Sequence, residues 1–232
     1  EATVLLLICS MGRRDSAFCS TFNEKIMKKK GIKNVIFDFG GVLMNLDRQR
    51  CMSSFKALGL KNVDKFLDPT DENGAYHLFE KGMITVQQFR EEIRKEIGNE
   101  VTNEAIDDAW NSYLVGVPKE KLDLLLKLRE SYVVYLLSNT NELHWEWSCQ
   151  YAFPYRGFRV EDYFEKMYLS FELKDVKPST EVFSRILVDA NIDPKETLFI
   201  DDIQENCEAA ASLGLQVYQP QPKEDLSKIF NR

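Results

Sequence analysis

The chain has 232 residues, enough for one large domain or for a core domain with a smaller insert, and its element pattern suits the second. A hydrophobic fraction of 44% and a charged fraction of 29%, without low-complexity tracts or a repeat period, exclude a disordered chain and a solenoid. A formal net charge of −7 excludes a general nucleic-acid binder, because phosphate-backbone binding rests on a basic surface; a phosphorylated partner must be met by locally placed cations.

Residues 1–33 read as an N-terminal extension, non-native in part. Thr3 to Cys9 form an apolar run that suits a short strand but falls far below the ~20 residues needed to span a membrane. Glu1 stands where a secretion signal would place basic residues. Met27 followed by Lys28-Lys29-Lys30 reads as a natural start, so residues 1–26 are expected to be a vector-derived or upstream-start segment. The five cysteines (Cys9, Cys19, Cys51, Cys149, Cys207) are odd in number and lack any close pair, which suits reduced thiols of a cytoplasmic protein. His77 and His144 are too few for a poly-histidine metal site.

From Asn34 onward short apolar runs alternate with longer helical patterns, the signature of an α/β fold with a mostly parallel sheet. The expected strands are Val35–Asp38, Tyr132–Leu137, Lys166–Ser170, Thr197–Asp201 and Gln216–Tyr218. Residues 48–117 break this rhythm with helical patterns and no convincing strand. Thr85 and Gln88 make a capping box ahead of Val86, Phe89, Ile93 and Ile97, and Ile106, Ala109, Trp110 and Tyr113 mark a second apolar face. This segment reads as an all-helical cap of 48–117, inserted into a core made of 34–47 and 118–232. Later, Val182, Phe183, Ile186 and Leu187 repeat at helical spacing, and Ala209–Leu213 stop at Gly214.

Polar clusters follow three of the expected strands, at the carboxyl ends where parallel sheets hold their ligands. The first is Asp38 with Gly40 and Gly41, the second Ser138-Asn139-Thr140, and the third Asp201-Asp202. Taken singly, Ser138-Asn139 and the aspartate pair read as turns or helix caps and Lys177 as a surface lysine. Their ordered combination is much harder to explain that way.

In that order the motifs Asn34 to Val42, Leu136 to Asn141, Lys177-Pro178 and Phe199 to Asp202 with Asn206 resemble the haloacid dehalogenase superfamily, and the resemblance covers nearly everything after Lys33. The stretches Tyr163 to Ser170 and Ser138 to His144 look most like the branch of bacterial glucose-1-phosphate phosphatases and the phosphatase domain of epoxide hydrolases. The resemblance implies a Rossmann-like parallel core with a helical cap after the first strand, and a magnesium-dependent phosphatase of a small phosphorylated metabolite, a sugar phosphate in particular. It implies that Asp38 attacks phosphorus to give an aspartyl phosphate. It further implies that Asp38, the Gly40 carbonyl and Asp202 hold Mg2+, with Asp201 as a supporting or water-mediated partner. Ser138, the Asn139 amide and Lys177 would bind the phosphoryl oxygens, and Lys177 would keep Asp38 ionised beside Asp202.

Gly40 departs from the pattern. Most phosphatases of the superfamily carry an aspartate there as general acid and base, worth about 10²–10⁴-fold. Its absence tilts the expected substrate toward an easily leaving group such as a sugar 1-phosphate, or calls for a donor elsewhere, with Asp47, Glu142, His144 and Glu172 as candidates. The alternatives are a non-catalytic member that binds a phosphorylated ligand or a protein, a phosphonatase using a cap lysine (Lys56, Lys61, Lys65 or Lys81), and a dehalogenase, against which the Asp201-Asp202 pair weighs. Glu80-Lys81-Gly82-Met83, Trp145 and Trp147 are candidate substrate-facing residues, with packing the plainer role for the tryptophans.

Overall fold

A computed structural model describes residues 31–68, 71–98 and 101–230 of the chain. The expected Thr3–Cys9 strand and the reading of residues 1–26 lie outside them.

In chain order the elements begin with β1 (Asn34–Phe37) and β2 (Asn45–Leu46). The helices α1 (Arg48–Leu58), α2 (Val63–Phe66), α3 (Ala75–Glu80), α4 (Val86–Ile97) and α5 (Asn103–Asn111) follow, then β3 (Leu114–Gly116) and α6 (Lys119–Leu128). The second half holds β4 (Val133–Ser138), α7 (Glu142–Trp147), a π-helical turn (Ser148–Ala152), α8 (Val160–Tyr163), β5 (Lys166–Leu169) and α9 (Ser170–Leu173). It closes with α10 (Thr180–Asp189), a 3-10 turn (Pro194–Glu196), β6 (Thr197–Ile200), α11 (Gln204–Ser212), β7 (Gln216–Tyr218) and α12 (Ser227–Phe230). The five core strands therefore form where apolar runs announce them, shifted by a residue at most at either end.

Those five strands make one parallel sheet in the order β5-β4-β1-β6-β7. All four residues of β1 are buried, as a central strand covered on both faces must be. Alternate residues serve alternate layers. Val35, Phe37, Val134, Leu136, Leu198 and Ile200 pack with Leu122, Leu125 and Leu128 of α6. Ile36, Tyr135, Leu137, Phe199 and Val217 pack with Val182, Phe183 and Ile186 of α10 and with Cys207 and Ala210 of α11. The chain runs outward from β1 through β4 to β5 and then returns to β6 on the other side. The order of strands thus reverses beside β1, where open α/β sheets leave a crevice at the strand ends.

Helices α1 to α5 gather around a separate apolar cluster containing Phe55, Phe79, Phe89, Ile93, Ile106 and Trp110. Thr85 forms the expected capping box with Gln88, and Phe89, Ile93 and Ile97 are the buried face of α4. Tyr113 lies beyond the end of α5, which stops at Asn111. The expectation of a strand-free 48–117 needs correction. Leu114–Gly116 pairs antiparallel with Asn45–Leu46 in a small two-stranded sheet, so the chain enters and leaves the helical layer through adjacent strands. Strands this short carry too little period to be read from a sequence.

Candidate active site

Register decides the site. Phe37 pairs with Ile200 in parallel, so the next residues on each strand, Asp38 and Asp201, leave the sheet side by side. The Asp38 amide donates to the Ile200 carbonyl at 2.8 Å and extends that pairing by one step. On the other flank Phe37 pairs with Leu136, and β4 runs on to Ser138.

Lys177 is 4% exposed and closes the group from the other side. Its Nζ donates to Asp38 Oδ1 at 2.6 Å, to Asp201 Oδ2 at 2.7 Å and to the Leu137 carbonyl at 3.2 Å. The reading of Lys177 as a surface lysine is therefore replaced by a buried ion pair. Asn139 holds the lysine in place through its side chain: Oδ1 accepts the Lys177 amide and Nδ2 donates to the Lys177 carbonyl, both at 2.9 Å. Ser138 is buried next to it.

Asp201 is fully buried and heavily bonded, accepting from Lys177, from the Ile203 amide at 2.8 Å and from Asn206 Nδ2 at 3.0 Å to both carboxylate oxygens. Asp202 is exposed, and its carbonyl accepts from Gln219 Nε2 at 3.0 Å. One carboxylate oxygen each from Asp38, Asp201 and Asp202 lie within 4.8 Å of one another. With all three ionised, Lys177 offsets one charge of three. The residual negative charge and the all-oxygen donor set fit a hard divalent cation such as magnesium.

Burial pushes the Asp38 carboxyl up to about 8; Lys177 opposes that shift, and Asp201 and Asp202 add to it. The Lys177 ammonium thus favours the ionised carboxylate, as expected, against burial and two neighbouring carboxylates that favour the protonated form. For Lys177 itself, burial lowers the ammonium, but Asp201 and Asp38 reverse the sign and hold it above its ordinary value.

Phe39 to Met44 fold back into a turn, with the Met44 and Leu43 amides donating to the Phe39 carbonyl at 2.7 and 2.9 Å. A methyl group added to Gly40 would meet Leu46 Cδ1 at 3.2 Å, whereas one on Gly41, at φ +82°, would strike the Asp202 carboxylate. A cleft of about 1120 Å³, lined by Gly41, Lys121, Asp202 and Gln219 among others, opens at this edge of the group.

The proposed substitutes for a side chain at Gly40 separate clearly. Asp47 caps α1 by accepting the Arg50 amide at 2.9 Å. Glu142 is exposed, and Glu172 is exposed beside a different cavity of about 530 Å³ under β5 and α10. His144 is buried, stacked on Trp110 at 4.6 Å, with Nε2 3.1 Å from the Trp110 carbonyl and Nδ1 3.3 Å from Asn141 Nδ2. Burial drives its imidazole down to about 4, so it is neutral, donating from Nε2 and accepting at Nδ1.

Lys56, Lys61 and Lys65 are exposed, and Lys81 pairs with Asp175 at 3.8 Å. Trp145 packs edge-on against Phe39 and Trp147 against Tyr151. Sequence reasoning passed over Ser170, whose Oγ lies 2.6 Å from the Glu80 carbonyl and accepts the Thr140 amide at 2.9 Å. A polar residue just past β5 carries the same signal that marked the other three strand ends.

A family model for haloacid dehalogenase-like hydrolases matches residues 32–214. The chain belongs to the haloacid dehalogenase-like hydrolases. Among them, a D-ribitol-5-phosphate phosphatase of Bacteroides thetaiotaomicron is 38% identical over 204 residues, covering 86% of this chain and 99% of that protein. A crystal structure of a haloacid dehalogenase family enzyme from Bacteroides thetaiotaomicron, in complex with magnesium and inorganic phosphate, is 54% identical with a TM-score of 0.84. The match covers 87% of this chain and all of that one, 100%. A family hydrolase from Porphyromonas gingivalis is 32% identical with a TM-score of 0.81, over 88% of this chain and 100% of its own. Among the described residues of this haloacid dehalogenase-like hydrolase, no helix is long and apolar enough to cross a membrane.

Proposed function

We propose that this chain is a magnesium-dependent phosphatase of a small sugar or polyol phosphate, working through an aspartyl phosphate on Asp38. The observation that carries the reading is the buried Lys177 ammonium bonded to both Asp38 and Asp201, with Asp202 alongside, where the strand order reverses. Asp38 presents its carboxylate oxygen to phosphorus in line with the leaving oxygen, and water then hydrolyses the acyl phosphate. Asp38, Asp202 and the Gly40 carbonyl would hold the cation, while Asp201, occupied by Lys177, Ile203 and Asn206, steadies Lys177. When bound, magnesium supplies positive charge that draws the dianionic phosphate toward Asp38. Lys177, Ser138 and the Asn139 amide bind the phosphoryl oxygens and stabilise the charge that builds on them. Residues 48–117 serve as a cap over a core of 34–47 and 118–232.

Support for a polyol or sugar phosphate comes from the Bacteroides relative's name, D-ribitol-5-phosphate phosphatase. That compound is the ester of a primary alcohol, a poorer leaving group than the anomeric oxygen suggested by Gly40. Phosphate release from D-ribitol 5-phosphate and p-nitrophenyl phosphate, with and without magnesium, tests the reading. Turnover should require magnesium, and Asp38→Asn should lower kcat by about 10⁴-fold or more, as loss of a nucleophile does. Activity that survives Asp38→Asn unchanged sinks it.

A further inference from the structure

Gly40 offers no proton, yet an alkyl phosphate needs one, because its alkoxide is too basic to leave bare. Of the four candidates already weighed, His144 is neutral and bonded at both ring nitrogens, Asp47 caps a helix, and Glu142 and Glu172 are exposed.

Glu80, the last residue of α3, differs from all of them. It is partly buried where the helical layer meets the core. Its carbonyl lies 2.6 Å from Ser170 Oγ, the atom that also accepts the Thr140 amide two residues past Ser138. Gly82 ties down the following turn: Lys174 Nζ donates to its carbonyl at 2.7 Å, and an added methyl there would strike the Phe171 carbonyl. The backbone under Glu80 is thus fixed to the same loop that carries Ser138 and Asn139. On its own helix, Tyr76 stands one turn earlier, set edge-on to Trp110 at 5.2 Å, and its hydroxyl favours the ionised Glu80 carboxyl. The other titratable or charged groups facing Glu80 are Tyr113 from beyond α5 and Lys177 from the core. Lys81 turns away to Asp175. Burial pushes the Glu80 carboxyl up to about 7, with the Tyr76 hydroxyl and the Lys177 charge pulling back. Both protonation states are therefore populated near neutrality, and the acid senses the ammonium that holds Asp38.

Resting on the phosphatase reading above, we propose that Glu80 is the proton carrier that Gly40 cannot be. As the Asp38 oxygen bonds to phosphorus, the ester P–O bond breaks and its electron pair, left on the leaving oxygen, takes the Glu80 proton. In the second step water attacks phosphorus and gives its proton to the Glu80 carboxylate, the bond to Asp38 breaks, and both side chains return to their starting states. A carboxyl from the helical layer does the work usually placed two residues after the nucleophile, and the layer must sit on the core for the site to be complete.

The test compares wild type and Glu80→Gln with magnesium on D-ribitol 5-phosphate, p-nitrophenyl phosphate and a series of aryl phosphates. For the alkyl ester kcat/KM should fall by about 10²–10⁴-fold, whereas the fall for p-nitrophenyl phosphate, whose leaving group needs no proton, should be at least about ten-fold smaller. The leaving-group dependence should steepen across the series. Adding Gly40→Asp to Glu80→Gln should recover at least about ten-fold of the alkyl activity, since only Leu46 Cδ1 crowds that position. Equal losses on both esters, or a raised KM with kcat intact, would overturn the assignment in favour of positioning or hydroxyl binding. Should Glu80→Gln not fold, Tyr76→Phe removes a hydroxyl that favours the carboxylate, and the basic limb of kcat/KM on the alkyl ester should move to higher pH; an unmoved limb overturns the assignment equally. Wild-type inactivity on every ester would be seen before Glu80 is altered, and it would bring down the phosphatase reading and this one together.

Discussion

Two adjacent glycines after Asp38 do different work. Gly41 sits at φ +82° with the Asp202 Cγ 2.9 Å from where a methyl carbon would stand, so it is held both by backbone conformation and by the approach of the Asp202 carboxylate. Gly40 lies outside the left-handed region and meets only the tip of Leu46. Gly41→Ala should therefore cost about 1–3 kcal/mol in urea titration and displace Asp202, with a loss of magnesium-dependent turnover. Gly40→Ala should stay within about 1 kcal/mol of wild type, because a flexible side chain can yield the few tenths of an ångström required. The contrast leaves Gly41 fixed by backbone and packing and position 40 open to a side chain.

At the level of elements, α5 and α7 are joined by a buried polar knot under an aromatic stack. Trp110 Nε1 donates to Asn141 Oδ1 at 3.0 Å, Asn141 caps α7 through the His144 amide, and His144 stacks on Trp110. His144 is 5% exposed and its folded pKa, about 4, lies below its ordinary 6.5. Between those values the unfolded chain binds the extra proton, so stability is fully present above the unfolded pKa and is lost as pH falls toward the folded one. Going from pH 7 to pH 5 should remove about 2 kcal/mol through this group, measured by urea unfolding. His144→Gln should show a loss smaller by about that amount, and equal pH dependence of the two proteins would refute the assignment.

Across the whole molecule, the carboxylate group draws on strands far apart in sequence, so a cation that binds it should stabilise the fold as a unit. Magnesium at about a hundred times its dissociation constant should add about 2.7 kcal/mol. For a domain of this length that is a rise in Tm of roughly 5–10 °C, seen by differential scanning fluorimetry. Asp202→Asn should abolish most of the rise, while the metal-free protein keeps near wild-type stability because Asp202 is exposed. The helical layer is fastened to the core at Ser170–Glu80, Lys174–Gly82 and Trp110–Asn141, contacts that lie between residues 31 and 92 positions apart.

The parallel core was legible because each strand is a short apolar run, and the candidate site because three of those runs end in polar clusters at the carboxyl edge, where parallel sheets hold ligands. Asp38, Ser138, Asn139, Asp201 and Asp202 stand out by that pattern, and Lys177 joins them through the ordered motifs that resemble the haloacid dehalogenase superfamily. Neither the antiparallel pair Asn45–Leu46 and Leu114–Gly116 nor the tie from Ser170 to Glu80 could be, since each joins short or aperiodic segments about 70 or more residues apart. Ionisation was also a tertiary matter. Sequence offers His144 as a candidate proton donor and Lys177 as a phosphate-binding cation, and only packing makes the first a neutral stacking partner and the second a buried ion-paired cation. Local patterning therefore determined the strands and the chemistry at their tips, while the closeness of charges and the way the helical layer meets the core were decided by three-dimensional packing, because desolvation and Coulomb interactions depend on distance in space.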